Sequence, residues 1–370
     1  MEHKMKRTIR MALVLGVMSA LGLSACETGP EGVREAAVWP APPEQPRVAY
    51  LKSLSNSAFA LKSTALDAFL GEEDKIAALI KPYGVHVDKS GRVFVADTQL
   101  SSMVVFDEEN KSFDIWGQGV MKRPIGISSH DDGRIFVTDN SLARVVIFDA
   151  EGNVAKTFGA DSGFISPSGI AVSSELEKVF VLETKRHDIS VFDLEGNPIE
   201  VIGENGDGEG EFNFPTGLAI DGENRLYVTD SMNFRVQVLE ADGAFIREFG
   251  GAGDQFGNFS RPKGVAIDSK NNVYVVDAAF NNFQIFNQDA ALLMFVGKYG
   301  HGQGEFVLQA GAYIDHKDRL YVADQLNRRV QVFQLFPDAP VEDLPDAAVE
   351  DLPDAPVEDL TGAPVEKSGS

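Results

Sequence analysis

The chain has 370 residues, a formal net charge of −23 and one cysteine, Cys26. A single thiol excludes internal disulfides, and the acidic balance repels phosphate, which excludes nucleic acid as a partner. At 44% hydrophobic residues, the chain has enough apolar surface to build a core without cross-links.

The first segment reads as a processing signal. Lys4, Lys6, Arg7 and Arg10 precede an apolar stretch, residues 11–23, that is short for a permanent span. It ends in Leu23-Ser-Ala-Cys26, which resembles a bacterial lipobox. A thiol directly after small residues suits a diacylglycerol acceptor. Residues 1–25 are therefore expected to be removed, leaving Cys26 to carry a lipid anchor to the membrane. Glu27 is the next residue; an Asp there would resemble an inner-membrane retention signal, so the outer membrane is favoured. Residues 26–46 are Pro-rich, the composition of an extended tether.

Residues 47–54 alternate like a strand that has no neighbour in sequence to pair with. Residues 65–70 and 76–80 carry a short amphipathic helical pattern, expected to pack on one face of the downstream strands.

Beyond residue 80 the chain is a six-fold repeat. An acidic residue recurs at Asp97, Asp139, Glu183, Asp230, Asp277 and Asp324, in steps of 42, 44, 47, 47 and 47 residues. Nine residues beyond each comes a large apolar side chain: Phe106, Phe148, Phe192, Leu239, Phe286 and Phe333. Eleven further on comes Gly117, Gly159, Gly203, Gly250 and Gly297. Within a copy the apolar residues alternate at period two, and Gly/Asn/Asp turns separate four short strands. Periods of ~40–50 residues mark propellers and solenoids. The expected fold is all-β, a six-bladed β-propeller of four-stranded blades over residues 47–336. The sixth copy lacks its outermost strand, since twenty residues past Asp324 stands Leu344, not a glycine. Residues 47–54 are expected to supply that strand and close the ring.

The best copies are Phe214-Pro-Thr-Gly-Leu-Ala-Ile-Asp221, Arg225-Leu-Tyr-Val-Thr-Asp230 with Asn233-Phe-Arg-Val-Gln-Val238, and Arg319-Leu-Tyr-Val-Ala-Asp324 with Arg328-Arg-Val-Gln-Val-Phe333. They resemble NHL repeats, most closely in blades four to six; blade three has Glu183 and lacks the Arg five residues on. The resemblance implies six blades, in agreement with the count of copies.

Residues 337–370 open with three octamers of the Pro-Asp-Ala-Pro-Val-Glu-Asp-Leu type. Spaced prolines and like charges cannot build a core, so a disordered acidic spacer is expected. Without signal and tail, propeller and tether still carry about −17.

The repeated acids are expected to be scaffolding, because every blade needs the same role: each closes a turn, and Arg144, Arg235 and Arg329 stand five residues on, placed to pair with the carboxylate. Function in a propeller concentrates where the copies differ, at the mouth of the central channel. There the innermost strands begin with Tyr83, Ile125, Ser168, Thr216, Lys263 and Ala310, and the residues two before them include Lys81, Arg123 and Arg261. Lys81, Tyr83, Arg123, Ser168, Thr216, Arg261 and Lys263 are thus candidate ligand-binding residues. The four cations among them form a local basic cluster suited to a carboxylate or phosphate, or else neutralise nearby acidic turns.

Amidating lyases with six blades resemble NHL propellers, and that resemblance would imply metal-binding histidines at these strand starts. None of the six positions is His, and no catalytic residue, metal or cofactor is assigned. His86 stands where four other copies have the small residues Ser128, Ala171, Ala219 and Ala266. The sequence reading is a monomeric, non-catalytic propeller, lipid-anchored at the bacterial cell envelope, that binds a protein, peptide or glycan. The alternative is a metal-dependent lyase or hydrolase with its site in the channel.

Overall fold

Each copy of the repeat folds into one antiparallel sheet. Copy four shows the plan: Gly217–Ile220, Leu226–Asp230, Arg235–Leu239 and Phe245–Gly250 pair in sequence order. All five residues of Leu226–Asp230 are buried, because the middle strands are covered on both faces by adjoining blades. The outermost strands are wet, as in Val154–Phe158. Six apolar clusters fill the gaps between blades; one joins Phe94 and Val105 of blade 1 to Ile127, Val137 and Phe148 of blade 2. The large apolar residue nine beyond each acid is buried in every blade.

The protein is described by a computed structural model, which covers residues 36–60, 77–159 and 162–337. The six innermost strands are Pro82–Val87, Pro124–Ser129, Pro167–Ser173, Gly217–Ile220, Pro262–Ile267 and Gln309–Ile314. Each lies beside the next, and the last lies beside the first, so the ring is closed. Closure is made as the sequence implies: Val48–Leu54 pairs antiparallel with Arg329–Leu335 and completes blade 6.

That blade goes one strand further. Val38–Trp39 pairs with Val48 and Ala49, and the Trp39 ring meets Phe333 edge-on with centroids 5.9 Å apart. Docking on the ring therefore begins inside the Pro-rich segment, because an indole with an apolar seat available does not stay in solvent. The signal segment with Cys26, the helical pattern at residues 65–70 and the acidic octamers beyond residue 337 lie outside the described residues. Of residues 76–80, Ala78 forms an isolated bridge with Asn56 and Leu79 is buried.

Around the axis the blades meet backbone to backbone. Gly84, Gly126, Gly169, Gly217, Gly264 and Gly311 occupy equivalent places on the innermost strands. A β-carbon on any of them would lie between 2.0 and 2.9 Å from an atom of the adjoining blade, in five cases a main-chain carbonyl oxygen. Only glycine permits this approach. Gly264→Ala, whose β-carbon would sit 2.5 Å from the Ala310 oxygen, should therefore cost at least about 2 kcal/mol by urea denaturation. Gly222→Ala, with open space around it, should stay within about 0.5 kcal/mol of wild type. Equal effects at the two positions would count against the steric account.

Candidate functional site: the channel and its basic mouth

The repeated acids build the platform on which the mouth stands. Asp97 Oδ2 accepts the N–H groups of Ile80 and Lys81, and its Oδ1 those of Gln99 and Leu100. Asp139 does the same for Lys122, Arg123, Ser141 and Leu142, and Asp277 for Ser260, Arg261, Ala279 and Phe280. Glu183, one carbon longer, takes Ile165 and Ser166. Asp230 and Asp324 each hold one backbone N–H, Asn213 or Val307, and also an arginine, at 2.9 Å from Arg235 Nε and Arg329 Nε respectively. Arg144 differs from its counterparts. All of the accepting capacity of Asp139 that faces it is taken by main chain, and Arg144 Nη2 donates to the Val120 carbonyl instead.

These carboxylates thus fix the main chain of Lys81, Arg123 and Arg261, three cations at one place in blades 1, 2 and 5. Lys263, two residues past Arg261 in blade 5, puts its Nζ 5.8 Å from the centroid of the Tyr83 ring in blade 1. Burial holds the Lys263 ammonium below its ordinary pKa, with repulsion from Arg261, Arg123 and Lys81 adding to it. Burial raises the Tyr83 phenol, while Arg123 and Arg261 pull it down. The five side chains therefore share one electrostatic neighbourhood. Among the described residues none of the four cations has a carboxylate partner, although most other arginines of the ring are paired.

Ser168 is bound within its own blade, and Thr216 both within its blade and across the seam to blade 5. Ser168 Oγ donates to the Leu182 carbonyl and accepts from Thr184 Oγ1. Thr216 Oγ1 sits 2.6 Å from Ser231 Oγ and donates to the Lys263 carbonyl. Both hydroxyls are committed to protein, unlike the cations.

Behind the mouth runs a channel of about 580 Å³, lined by the innermost strands from Tyr83 and Lys263 to a rim at Asp88, Asp131, Asp221 and His316. His86 lies within it, with Nε2 2.7 Å from Ser129 Oγ and its ring 4.3 Å from that of Tyr313. The sequence marked His86 by its bulk; its stacking on the last blade required ring closure to be seen. Among the described residues no three His, Cys, Asp or Glu side chains converge as a metal centre needs.

Burial drives the His86 pKa down to about 4, against a weaker opposing pull from Asp88. Unfolded, the same imidazole binds its proton near the ordinary value of 6.5. Below that value the unfolded state gains a proton that the folded state refuses, so stability is complete above about 6.5 and falls as pH drops towards 4, by about 3 kcal/mol. His86→Phe should flatten this part of the stability–pH curve relative to wild type, measured by urea denaturation between those limits. An unchanged curve would show that His86 is solvated.

The sequence profile of the NHL repeat matches residues 212–239 and 259–286, in blades 4 and 5. No curated protein matches the chain. Solved structures similar to it are of divergent sequence. The virginiamycin B lyase of Staphylococcus aureus aligns at 11% identity over 78% of this chain and 99% of that one, with a TM-score of 0.53. A gluconolactonase from Xanthomonas campestris aligns at 14% over 70% and 87%, with a TM-score of 0.55. A chain of the nidogen/laminin complex aligns at 17% over 67% and 89%, with a TM-score of 0.52. Identities this low speak for the fold alone. With the repeat motif, the closed ring and its six blades in hand, the chain is a six-bladed β-propeller carrying NHL repeats.

Proposed function

We propose that this propeller is a non-catalytic binding module of the bacterial cell envelope, anchored through lipidated Cys26, which captures a protein, peptide or glycan by a carboxylate or phosphate group at its basic mouth. The observation that carries the reading is the convergence of Lys81, Arg123, Arg261 and Lys263 around Tyr83 with no carboxylate partner among the described residues. Four unpaired cations held close on a chain of net charge −23 are mutually repulsive, and an incoming anion relieves that repulsion. Charge-assisted bonds from two guanidinium groups also orient the anion by their planar fork.

Two experiments test this. Full-length protein should retain an acidic partner from detergent-solubilised envelope, and the double variant Arg123→Glu/Arg261→Glu should lose at least about tenfold of that retention. Retention that is indifferent to both the variant and added salt would overturn the reading, since anion capture at an exposed mouth is screened. Cys26→Ser should move the protein from the membrane pellet to the soluble fraction; a variant that stays in the pellet would remove the lipid anchor from the account.

The second reading, a metal-dependent lyase or hydrolase in the channel, has in its favour that a lyase and a gluconolactonase stand among the similar structures. Elemental analysis of protein purified without chelator separates the two: near one metal per chain supports catalysis, and folded protein without metal supports binding.

A further inference from the structure

The channel departs from six-fold symmetry in one sector. At equivalent positions on the innermost strands stand His86, Ser128, Ala171, Ala219, Ala266 and Tyr313, all on the channel wall. The two large rings are in adjoining blades, 1 and 6, and meet at a tilt of 57° with centroids 4.3 Å apart. Blades 3 and 4, across the ring from them, offer only the β-carbons of Ala171 and Ala219. The bulk on one side and the space on the other leave a volume of about 580 Å³, within the range of about 300–1,000 Å³ in which small ligands bind.

Two neutral polar groups in this volume are open. The Tyr313 hydroxyl has no hydrogen-bond partner among the described residues, and His86 uses Nε2 on Ser129, leaving Nδ1 without one. Tyr313 stays a phenol throughout the working range, since burial raises it well above its ordinary value, and His86 is uncharged at neutral pH. Between these groups the wall carries the small side chains of Ala171, Ala219 and Ala266. At the other end of the same volume Lys263 presents its ammonium beside the Tyr83 ring. Lys263 stands three strand positions before the level of His86, about 10 Å along the axis at the rise of a strand.

We propose that the channel binds a small organic anion with an apolar, ring-sized body. Its charged group lies on Lys263 beside Tyr83, its body lies against the alanine side of the channel, and a polar substituent reaches the Tyr313 hydroxyl and His86 Nδ1. The proposal rests on the mouth's being an anion site in so far as Lys263 belongs to both, but it concerns a ligand that enters the channel, not a macromolecule that docks across its rim. A cation with no partner, an apolar wall and two unpaired neutral hydrogen-bonding groups are complementary to one amphiphilic molecule about 10 Å long.

6-Hydroxynaphthalene-2-carboxylate, which carries the charged group, the ring and the far polar substituent, tests this on the full-length chain by titration calorimetry. One molecule should bind per chain, and the uncharged 6-(hydroxymethyl)-2-naphthol, with the same ring, should bind at least about tenfold more weakly. Lys263→Met should lose a similar factor. Ala219→Leu, which fills the open side, should weaken binding at least about tenfold while leaving Lys263 in place; Ala312→Leu, also half-buried on the channel wall, serves if the first variant fails to fold. No binding at about 1 mM, equal binding of the neutral analogue, or indifference to the wall substitutions would each overturn the proposal. Failure here with envelope capture still sensitive to Arg123 and Arg261 would leave the mouth reading standing; loss of both would remove the anion site altogether.

Discussion

The contact on which the rest of the structure depends is the one between innermost strands at the axis. Six glycines let the main chain of each blade touch that of its neighbour, and five of those contacts are to a carbonyl oxygen. A side chain there would hold neighbouring blades apart and open the interblade cores. Because the approach is so close on that level, the side chains on either side of it decide what the channel can hold. Lys263 and Tyr83 sit beside the belt on one side, and His86 and Tyr313 lie beyond it on the other. The mouth and the channel are consequences of a backbone constraint before they are consequences of any polar group.

Outside the belt, the same scaffold is secured by different chemistry in different blades. In blades 4 and 6 the acid, an arginine and a glutamine form one buried network that also grips the loop between blades: Arg235 Nη2 donates to the Gly208 and Glu211 carbonyls, and Arg329 Nη2 to those of Gly302 and Glu305. Glu211 and Glu305 in turn accept the N–H groups of Gly208 and Gly302. In blades 1, 2 and 5 the carboxylate is saturated by main-chain donors, and no arginine is needed to neutralise it. Those are the blades whose preceding residue is Lys81, Arg123 or Arg261. The rim cations are bound to the scaffold through their own backbone N–H groups, which leaves their side chains free of the acids below.

Much of this was legible in the sequence because it is periodic. Steps between acids, apolar alternation and the missing strand after Asp324 each reflect constraints that recur in every blade, and the six sheets and the closure by Val48–Leu54 answer to them. The features that were not legible are those where two distant copies meet. That Lys263 reaches Tyr83 depends on the ring bringing blades 5 and 1 near each other across blade 6. That Thr216 is occupied depends in part on the Lys263 carbonyl across a seam. That Trp39 leaves the Pro-rich segment depends on an apolar seat near Phe333, and Gly304 leaves room for its ring. None of these has a signature in local spacing. His86 lay between the two cases: its size was an anomaly within the repeat, while its partner Tyr313 stands in the last copy.

The clasp between Val48–Leu54 and Arg329–Leu335 has a kinetic side. Val48–Leu54, which precedes every blade in the chain, pairs with the last strand of the described chain, so it is synthesised early and waits for Arg329–Leu335 before that edge is covered. Loop-closure entropy over nearly the whole ring opposes that pairing, and contacts of such high sequence separation form slowly. Until they form, blade 6 presents a bare strand and the waiting strand presents another, each complementary to the same pair on a second molecule. Crowded nascent chains are therefore exposed to strand exchange, one chain's opening strand completing another's last blade. Val38–Trp39, by adding a further strand and an aromatic contact in cis, raises the local advantage of a chain's own partner over a neighbour's.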